Sequence, residues 1–353
     1  DGDGLLDMFV CEDKFIQNPR SVLFRNAGAM KFVDVTAAVG LPEDVFGLGF
    51  ATADLNDDGR PDFFVGHSNR MFLSTAEGKY VEDEALNKTF AWTPRNAEDW
   101  PCGAAFGDLN RDGRLDLVLS IHHEVARNRV FINEGLKRGV PQFRDVTDAA
   151  GLPASLPNKS PHVEIQDFDN DGWPDIYFST AKLDSQGRVT PAVYRNLGRS
   201  GAPKFAPPRD LDGPGEMVYF PAGPSGDFDG DGRVDLFLIN WFRGNRCRLL
   251  KNESPAAHWI DVTVGGKSGN RMGVGSQVRV YQAGKAGASG ALLGFQQLTT
   301  GYGYASGQPA VCHFGLGDAA AVDVVVRLPG GEKLVRENVA ANQRLHIEET
   351  AEE

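Results

Sequence analysis

A nine-residue pattern recurs along most of the chain and constrains its fold more than any other feature. Complete copies begin at Asp54, Asp108, Asp167 and Asp227, and a shortened copy, residues 1–7, opens the sequence. Wherever a copy contains them, positions 1, 3, 5 and 9 are Asp or Asn and position 6 is Gly. Measured at that Gly, consecutive copies lie 54 to 60 residues apart. A period of this length indicates a repeated supersecondary unit.

The alternating acidic side chains predict a calcium site in each copy. Ca²⁺ takes six to eight oxygen ligands, and Asp or Asn at alternate positions of a tight loop supplies several of them from one short segment. The Gly permits the left-handed backbone that turns these side chains inward. We therefore expect Ca²⁺ as the cofactor, about one ion per loop and up to five in all. The predicted ligands are Asp1, Asp3, Asp7, Asp54, Asn56, Asp58, Asp62, Asp108, Asn110, Asp112, Asp116, Asp167, Asp169, Asp171, Asp175, Asp227, Asp229, Asp231 and Asp235.

Two other structures produce Asp- and Gly-rich segments. A single copy is compatible with an ordinary β-turn, in which Asp, Asn and Gly are favoured, but five copies in one register favour metal binding. An EF-hand needs a bidentate Glu at position 12 and flanking helices. Here position 12 is apolar, and short apolar runs follow each loop, so we predict that the loops lead into buried strands. The position-12 residues are Val10, Val65, Leu119, Phe178 and Leu238.

Each period has the sequence of four short β-strands. In the second period a strand rich in small residues, Gly47–Ala51, enters the loop, and an apolar strand, Phe63–Val65, leaves it. A third strand follows at Met71–Leu73, and an aromatic residue opens a fourth strand in other periods, as at Phe143. Four antiparallel strands per repeat predict an all-β protein, a calcium-loop β-propeller of five blades or parts of blades.

The repeated pattern ends near residue 254. Residues 255–353 contain alternating segments such as His258–Val264 and Val322–Arg327, which are typical of a small β-sandwich. We therefore predict two domains, a propeller at 1–254 and a β-sandwich at 255–353. An alternative assigns Trp259 to the fourth strand of the last blade.

These motifs resemble two known families. The loops are similar to FG-GAP/VCBS repeats, and the segments Asn270–Val280, His313–Gly317 and Asn338–Ile347 are similar to the ASPIC/UnbV module. The chain departs from the ASPIC/UnbV pattern at Leu328, where the family has Trp. The resemblance implies a calcium-loaded propeller, commonly of seven blades, so we expect either about two further blades upstream of this chain or a smaller ring. Some propellers of this family are lyases and others are lectins.

Four of the seven histidines fall on the predicted blade face opposite the calcium loops. Imidazoles near a carboxylate could hold Zn²⁺ or another transition metal, or act as acid and base, so a metal-dependent lyase or hydrolase is the alternative hypothesis. Locally hydrogen-bonded histidines and aromatic residues buried between blades would give the same pattern. The candidates are His67, His122, His123, Glu124 and His162 for catalysis, with Glu164 nearby, and Trp100, Trp241 and Arg243 for ligand binding.

Composition limits the partners. Basic surface is sparse and the net charge is −12, most of which five Ca²⁺ ions would cancel, so no nucleic-acid partner is expected. No apolar run reaches the roughly 18 residues of a membrane span. Calcium loops suit the millimolar Ca²⁺ outside cells, so we expect a secreted, periplasmic or cell-surface protein. The leading expectation is a binding or adhesion module for an extracellular protein or carbohydrate, without catalysis. The four cysteines could form disulfides in three different pairings, and the sequence does not choose among them.

Overall fold

The structure, a computed structural model, describes residues 2–13, 17–93, 100–123, 127–153, 158–198, 200–208, 211, 214–267 and 270–349. Asp1 and Glu124, both predicted as site residues, lie outside these ranges. Within them the chain forms 26 β-strands and two short helices. None of the helices in the described ranges is long and apolar enough to cross a membrane.

Five antiparallel sheets follow one another along the first part of the chain, and we number them blades 1 to 5. Blade 1 contains β1 (Met8–Val10), β2 (Val22–Asn26) and β3 (Phe32–Asp34), and blade 2 contains β4 (Phe50–Ala53), β5 (Asp62–Val65), β6 (Arg70–Ser74) and β7 (Tyr80–Val81). Blade 3 contains β8 (Pro101–Gly107), β9 (Asp116–Ile121), β10 (Arg129–Lys137) and β11 (Val140–Asp145).

Blade 4 contains β12 (Val163–Gln166), β13 (Asp175–Leu183), β14 (Val189–Asn196) and β15 (Phe205–Ala206), and β16 (Glu216–Tyr219) pairs with the end of β13. Blade 5 contains β17 (Ser225–Gly226), β18 (Asp235–Leu238) and β19 (Arg248–Leu250). Every complete aspartate loop connects the first and second strands of its blade. The prediction of an all-β fold built from propeller-type blades is confirmed.

The first strands of neighbouring blades approach closely, which explains their small residues. A Cβ atom on Gly103 would lie 2.5 Å from the Pro161 carbonyl oxygen, and one on Gly49 would lie 2.8 Å from that of Cys102 in blade 3. Real Cβ atoms do not come this close to a backbone oxygen. The regular strand of blade 2 begins at Phe50, three residues after the start predicted from the sequence.

Large apolar side chains fill the space between blades. The helix α1 (Glu84–Thr89) ends at Phe90, which is fully buried and packs edge-on against Phe64 of blade 2 and Phe131 of blade 3. The second helix, α2 (Thr147–Ala150), buries Ala150 in the cluster between blades 3 and 4. The short helices therefore complete the packing between blades rather than forming a layer of their own.

An asparagine at the end of the third strand ties successive blades together. The Asn196 side-chain amide donates to the Leu109 carbonyl in the loop of blade 3 and to Pro174 in its own blade, at 2.9 and 3.0 Å. Asn252 donates in the same way to Phe168 of blade 4 and Val234 of blade 5. These bonds satisfy loop carbonyls that no strand partner reaches.

The chain after blade 5 forms two sheets around one apolar core. One sheet has the order β23 (Cys312–Gly317), β20 (His258–Gly265), β26 (Gln343–Glu348). The other has the order β22 (Leu292–Gln297), β21 (Gln277–Gln282), β24 (Ala321–Arg327), β25 (Lys333–Ala340). Ile260, Val278 and Val324 are fully buried between them. Trp259 lies in β20 and pairs with strands of this sandwich.

The four cysteines form no disulfide. Cys102 and Cys312 are fully buried, in the propeller and the sandwich respectively. Burial raises the pKa of the Cys11 thiol to about 12, which keeps it protonated and unreactive at neutral pH.

The ties between blades give a test of the fold. Asn196→Ala removes both bonds of its amide and leaves two buried carbonyls without that donor, so we expect a loss of about 2 kcal/mol in the free energy of unfolding. Equilibrium urea denaturation measures it, with the exposed Asn245→Ala as the matched control. Equal urea midpoints for the two variants would show that the amide does not join the blades.

Candidate functional site

The aspartate loops share one hydrogen-bonding scheme. The position-9 carboxylate accepts from the position-2 amide and from the amide of a residue at the end of the third strand. For Asp175 the donors are Phe168 N at 3.1 Å and Asn196 N at 2.7 Å. The same two bonds are accepted by Asp62, Asp116 and Asp235. In the shortened copy Asp7 accepts from Asn26 N at 2.8 Å.

The position-1 carboxylate folds the loop back on itself. Asp167 Oδ2 accepts from Gly172 N, the position-6 glycine, at 2.7 Å, and Gly172 has a left-handed φ of 91°. The other position-1 residues that accept from their glycine amide are Asp54, Asp108 and Asp227. Backbone amides therefore orient the carboxylates at both ends of each complete loop.

Two of the loops bring three carboxylates to one point. One oxygen from each of Asp167, Asp169 and Asp175 lies within 4.8 Å of the others. The same holds for the corresponding residues of blade 5, Asp227, Asp229 and Asp235. Asp167 Oδ1 is buried and makes no hydrogen bond to any described residue. This oxygen-rich donor set fits a hard divalent cation such as Ca²⁺.

Blades 2 and 3 carry a less acidic version of the loop. Their position-3 residue is an amide, Asn56 or Asn110, whose side-chain nitrogen donates to the position-5 carboxylate. Position 5 also forms an ion pair with the position-7 arginine, as between Arg60 and Asp58. An amide oxygen can ligate Ca²⁺, as a carboxylate oxygen can. In these two loops the Asn side chain would have to turn so that its oxygen faces the ion.

Burial makes the free carboxylates costly to keep charged. It raises the pKa of Asp62 and of Asp108 to about 7. Burial, with the repulsion of Asp169 and Asp171, also raises the pKa of Asp167. A bound divalent cation would oppose both effects, because an adjacent positive charge favours the ionised carboxylate.

On the opposite face, two of the predicted histidines stack on one tryptophan. The rings of His67 and Trp100 are nearly parallel with centroids 4.9 Å apart, and those of Trp100 and His122 are 5.6 Å apart. His67 Nδ1 lies 3.1 Å from Asp13 Oδ1. Trp100 is buried, so it packs between side chains rather than offering a surface to a ligand.

His162 lies inside the protein and contacts a different set of residues. Its side chain and that of Glu164 are fully buried. Nδ1 accepts from Tyr304 N at 2.9 Å, so Nε2 carries the proton and donates to Glu164 Oε1, also at 2.9 Å. His162, which was predicted to lie on the blade face opposite the calcium loops, is therefore buried there beneath a segment of the C-terminal sandwich.

The predicted catalytic residues do not form a metal centre within the described ranges. In these ranges, some groups of three or more His, Cys, Asp or Glu side chains bring their ligand atoms within 4.8 Å of one another. None of these groups contains a histidine. His123 is half-buried beside His122. Trp241 and Arg243 lie in the β18–β19 turn of blade 5, where Trp241 is 67% exposed.

Comparison with protein families decides where the chain belongs. Residues 1–65, 108–178 and 167–238 match the family model described as FG-GAP-like repeat, and together they cover more than half of the chain. The chain belongs to the FG-GAP-like repeat family. Residues 266–353 match the model described as ASPIC and UnbV, so both resemblances inferred from the sequence are confirmed.

Relatives of this FG-GAP-like chain include cartilage acidic protein 1. The chain is 27% identical to the Homo sapiens protein over 330 residues, covering 90% of this chain and 46% of that protein. Identity to the Xenopus tropicalis protein is 27% over 324 residues, with coverages of 88% and 46%. The chain thus spans about half the length of the curated relatives it matches.

A solved Agrocybe aegerita lectin that recognises non-reducing terminal N-acetylglucosamine is also similar. The two chains are 18% identical with a TM-score of 0.35, covering 66% of this chain and 60% of the lectin. A score this low carries no argument about fold or ligand.

The ASPIC and UnbV domain of this FG-GAP-like chain rests on the aspartate loops. In blade 2, Arg327 contacts Asp57 at 2.7 Å. In blade 4, His313 Nε2 lies 2.7 Å from Asn170 Oδ1 while its Nδ1 lies 2.7 Å from Asp261 Oδ1. This interface was not predicted from the sequence, since no local pattern indicates which loop a C-terminal side chain will meet.

Arginine completes the interface at blade 5. Arg344 Nη2 lies 2.9 Å from Asp227 Oδ2, the position-1 carboxylate, and Arg344 Nε lies 3.4 Å from Asp261 Oδ2. Gly315 lies so near blade 4 that a Cβ atom there would be 2.1 Å from Asp167 Oδ2. The loops that resemble metal sites are therefore also the platform for the C-terminal domain.

The buried His313 provides a test of this interface. His313→Ala removes the partner of Asp261 Oδ1 and of Asn170 Oδ1, so we expect a loss of about 2 to 3 kcal/mol and earlier cleavage between the domains. Thermal unfolding and limited proteolysis measure these, with exposed His346→Ala of the same domain as the control. Identical melting and cleavage of the two variants would contradict the role assigned to His313.

Proposed function

We propose that the chain is an extracellular binding module whose blades are stabilised by Ca²⁺ in the aspartate loops. The observation that carries the proposal is the shared scheme of position 1 and position 9, in which backbone amides orient both carboxylates in all four complete loops. An ordinary turn needs one such bond to close. Amides that fix the carboxylates at both ends of a nine-residue loop favour a site that holds a ligand between them.

The role proposed for each loop residue depends on its position in the loop. Positions 1, 3, 5 and 9 would supply oxygen ligands, among which Asp167, Asp169 and Asp175 already meet within 4.8 Å. Position 9 also holds the second and third strands together through its two amide bonds. When bound, Ca²⁺ would neutralise the carboxylates and hold the turn between the first two strands. Up to five ions are proposed, one for each loop.

The location and the partner class follow from separate arguments. Loops of this type bind Ca²⁺ where its concentration is millimolar, and relatives are named for cartilage, a tissue rich in extracellular matrix. Blade 5 exposes Trp241 and Phe242 on one turn, at 67% and 54%. Exposed aromatic side chains contribute strongly to protein and carbohydrate recognition. We therefore propose an extracellular protein or carbohydrate ligand.

The hypothesis of a metal-dependent lyase or hydrolase has less support. It needs several imidazoles and a carboxylate around one position. In the described part of the chain, His67 and His122 stack on Trp100 while His162 bonds to Glu164 and Tyr304. Their geometry favours a packing role, so we do not propose a reaction.

Removal of Ca²⁺ should destabilise the blades. At a hundredfold excess over Kd each ion adds about 2.7 kcal/mol, so EGTA is expected to lower Tm by at least about 5 °C. Differential scanning calorimetry measures the shift, and restoring Ca²⁺ but not Mg²⁺ should reverse it, since Mg²⁺ demands a smaller octahedral site. A Tm that EGTA leaves unchanged would sink the calcium proposal.

A single exposed ligand can be removed without damaging the core. Asp229→Ala deletes the position-3 ligand of blade 5, where Asp229 is exposed and pairs with Lys251. We expect isothermal titration to find one fewer bound Ca²⁺ per chain, with little change in the Tm of the calcium-free protein. The matched control is exposed Asp318→Ala in the C-terminal domain. Unchanged stoichiometry and affinity in Asp229→Ala would exclude blade 5 as a calcium site.

A further inference from the structure

A cleft lies where the C-terminal sandwich meets the ends of the first strands of blades 3, 4 and 5. Its volume is about 550 Å³, within the range of small-molecule sites, which commonly occur between domains. The propeller side includes Phe106, Gln166 and Ser225, each close to the start of an aspartate loop. The sandwich side includes Tyr302 and Gln308. The exposed Phe228, Pro309 and Arg344 lie at its margin.

Two glutamines of the cleft have hydrogen-bonding capacity that the protein does not use. Gln166 Nε2 donates to Tyr302 Oη at 3.1 Å, and Gln308 Nε2 donates to Glu164 Oε1 at 3.2 Å. The Oε1 atom of each is buried and makes no hydrogen bond to any described residue. A buried acceptor without a donor is costly, so a ligand that supplies donors here would gain affinity.

The charged side chains of the cleft are already engaged with one another. Arg344 contacts Asp227 at 2.9 Å, and His313 contacts Asp261 at 2.7 Å. Asp108 accepts from two amides of its own loop. The groups left for a ligand are therefore neutral amides and hydroxyls.

The rest of the wall is apolar. Phe106, Ile165 and Phe295 line the cleft together with Val311. An apolar wall facing a few amide oxygens suits a molecule that has C–H faces and hydroxyl edges. Because a hydroxyl both donates and accepts, it can pair with either atom of a glutamine amide.

We propose that this cleft binds a small neutral polyhydroxylated ligand of the size of a mono- or disaccharide. The side-chain amides of Gln166 and Gln308 turn towards the cleft and pair with ligand hydroxyls, and the ring faces of the ligand pack on Phe106 and Phe295. This inference rests on the proposed binding function and assigns the ligand class and the site. It also makes the domain interface a binding element, since both domains contribute residues.

Isothermal titration tests the proposal with four free sugars: glucose, galactose, N-acetylglucosamine and lactose. The whole chain is used after saturation with Ca²⁺. At least one sugar is expected to bind with a Kd of about 1 mM or tighter.

Variants place the binding in the cleft. Val311→Trp fills the cleft at a half-buried position, and we expect it to weaken binding more than tenfold. Val335→Trp makes the same change on the exposed β25 strand of the same domain and should leave affinity within twofold. Gln166→Leu removes one acceptor and should weaken binding about tenfold. If Val311→Trp fails to fold, Gln166→Leu alone tests whether the sugar binds in the cleft.

Two results would overturn the proposal: no binding of any of the four sugars at about 10 mM, or equal binding by Gln166→Leu and the parent chain. The calcium proposal is judged separately by melting. A chain whose Tm depends on Ca²⁺ but which binds no sugar loses the cleft assignment alone. A chain that binds sugar in the cleft with a Tm indifferent to EGTA loses the calcium assignment alone.

Discussion

The structure depends on one buried carboxylate in each complete repeat, the aspartate at position 9. Asp175 accepts from the loop amide of Phe168 and from Asn196 at the end of the third strand, so it joins three parts of a blade. Asn196 in turn donates to the preceding blade. A carboxylate buried at this junction is costly unless it is hydrogen-bonded and balanced by positive charge, which is why the loops combine backbone amides with an oxygen set that suits a cation.

The same loops explain the arrangement of the two domains. Because their backbones turn tightly, they present carboxylates and carbonyls at one edge of the blades, and the C-terminal sandwich meets that edge with Arg327, His313 and Arg344. The sandwich also sends a segment to the first strands, where Gly303 N donates to the Ala104 carbonyl at 2.7 Å. Stability of the loops, docking of the sandwich and the shape of the cleft are therefore linked.

The histidines show how a pattern can mislead. Their positions along the blades suggested a common face, because the repeat shows where each strand ends. The repeat does not show which of these strand ends are buried. His162 is covered by Tyr304, which lies 142 residues later in the chain, and His67 and His122 are occupied by Trp100. Conversely, nothing in the sequence marks Gln166 and Gln308 as residues of a binding site. A glutamine indicates such a site only when the surrounding structure leaves one of its amide atoms without a hydrogen-bond partner.

The sequence by itself determined the nine-residue loops, the strands beside them, the blade-type sheets and the β-sandwich that follows. These features depend on residues close together in the chain: aspartates and asparagines within nine positions, a glycine that must be left-handed, and apolar residues at strand spacing. Only the tertiary structure decided which side chains meet across the domains, such as His313 with Asn170, 143 residues apart. Such contacts depend on how two independently patterned surfaces dock, and nothing in a local period records that choice.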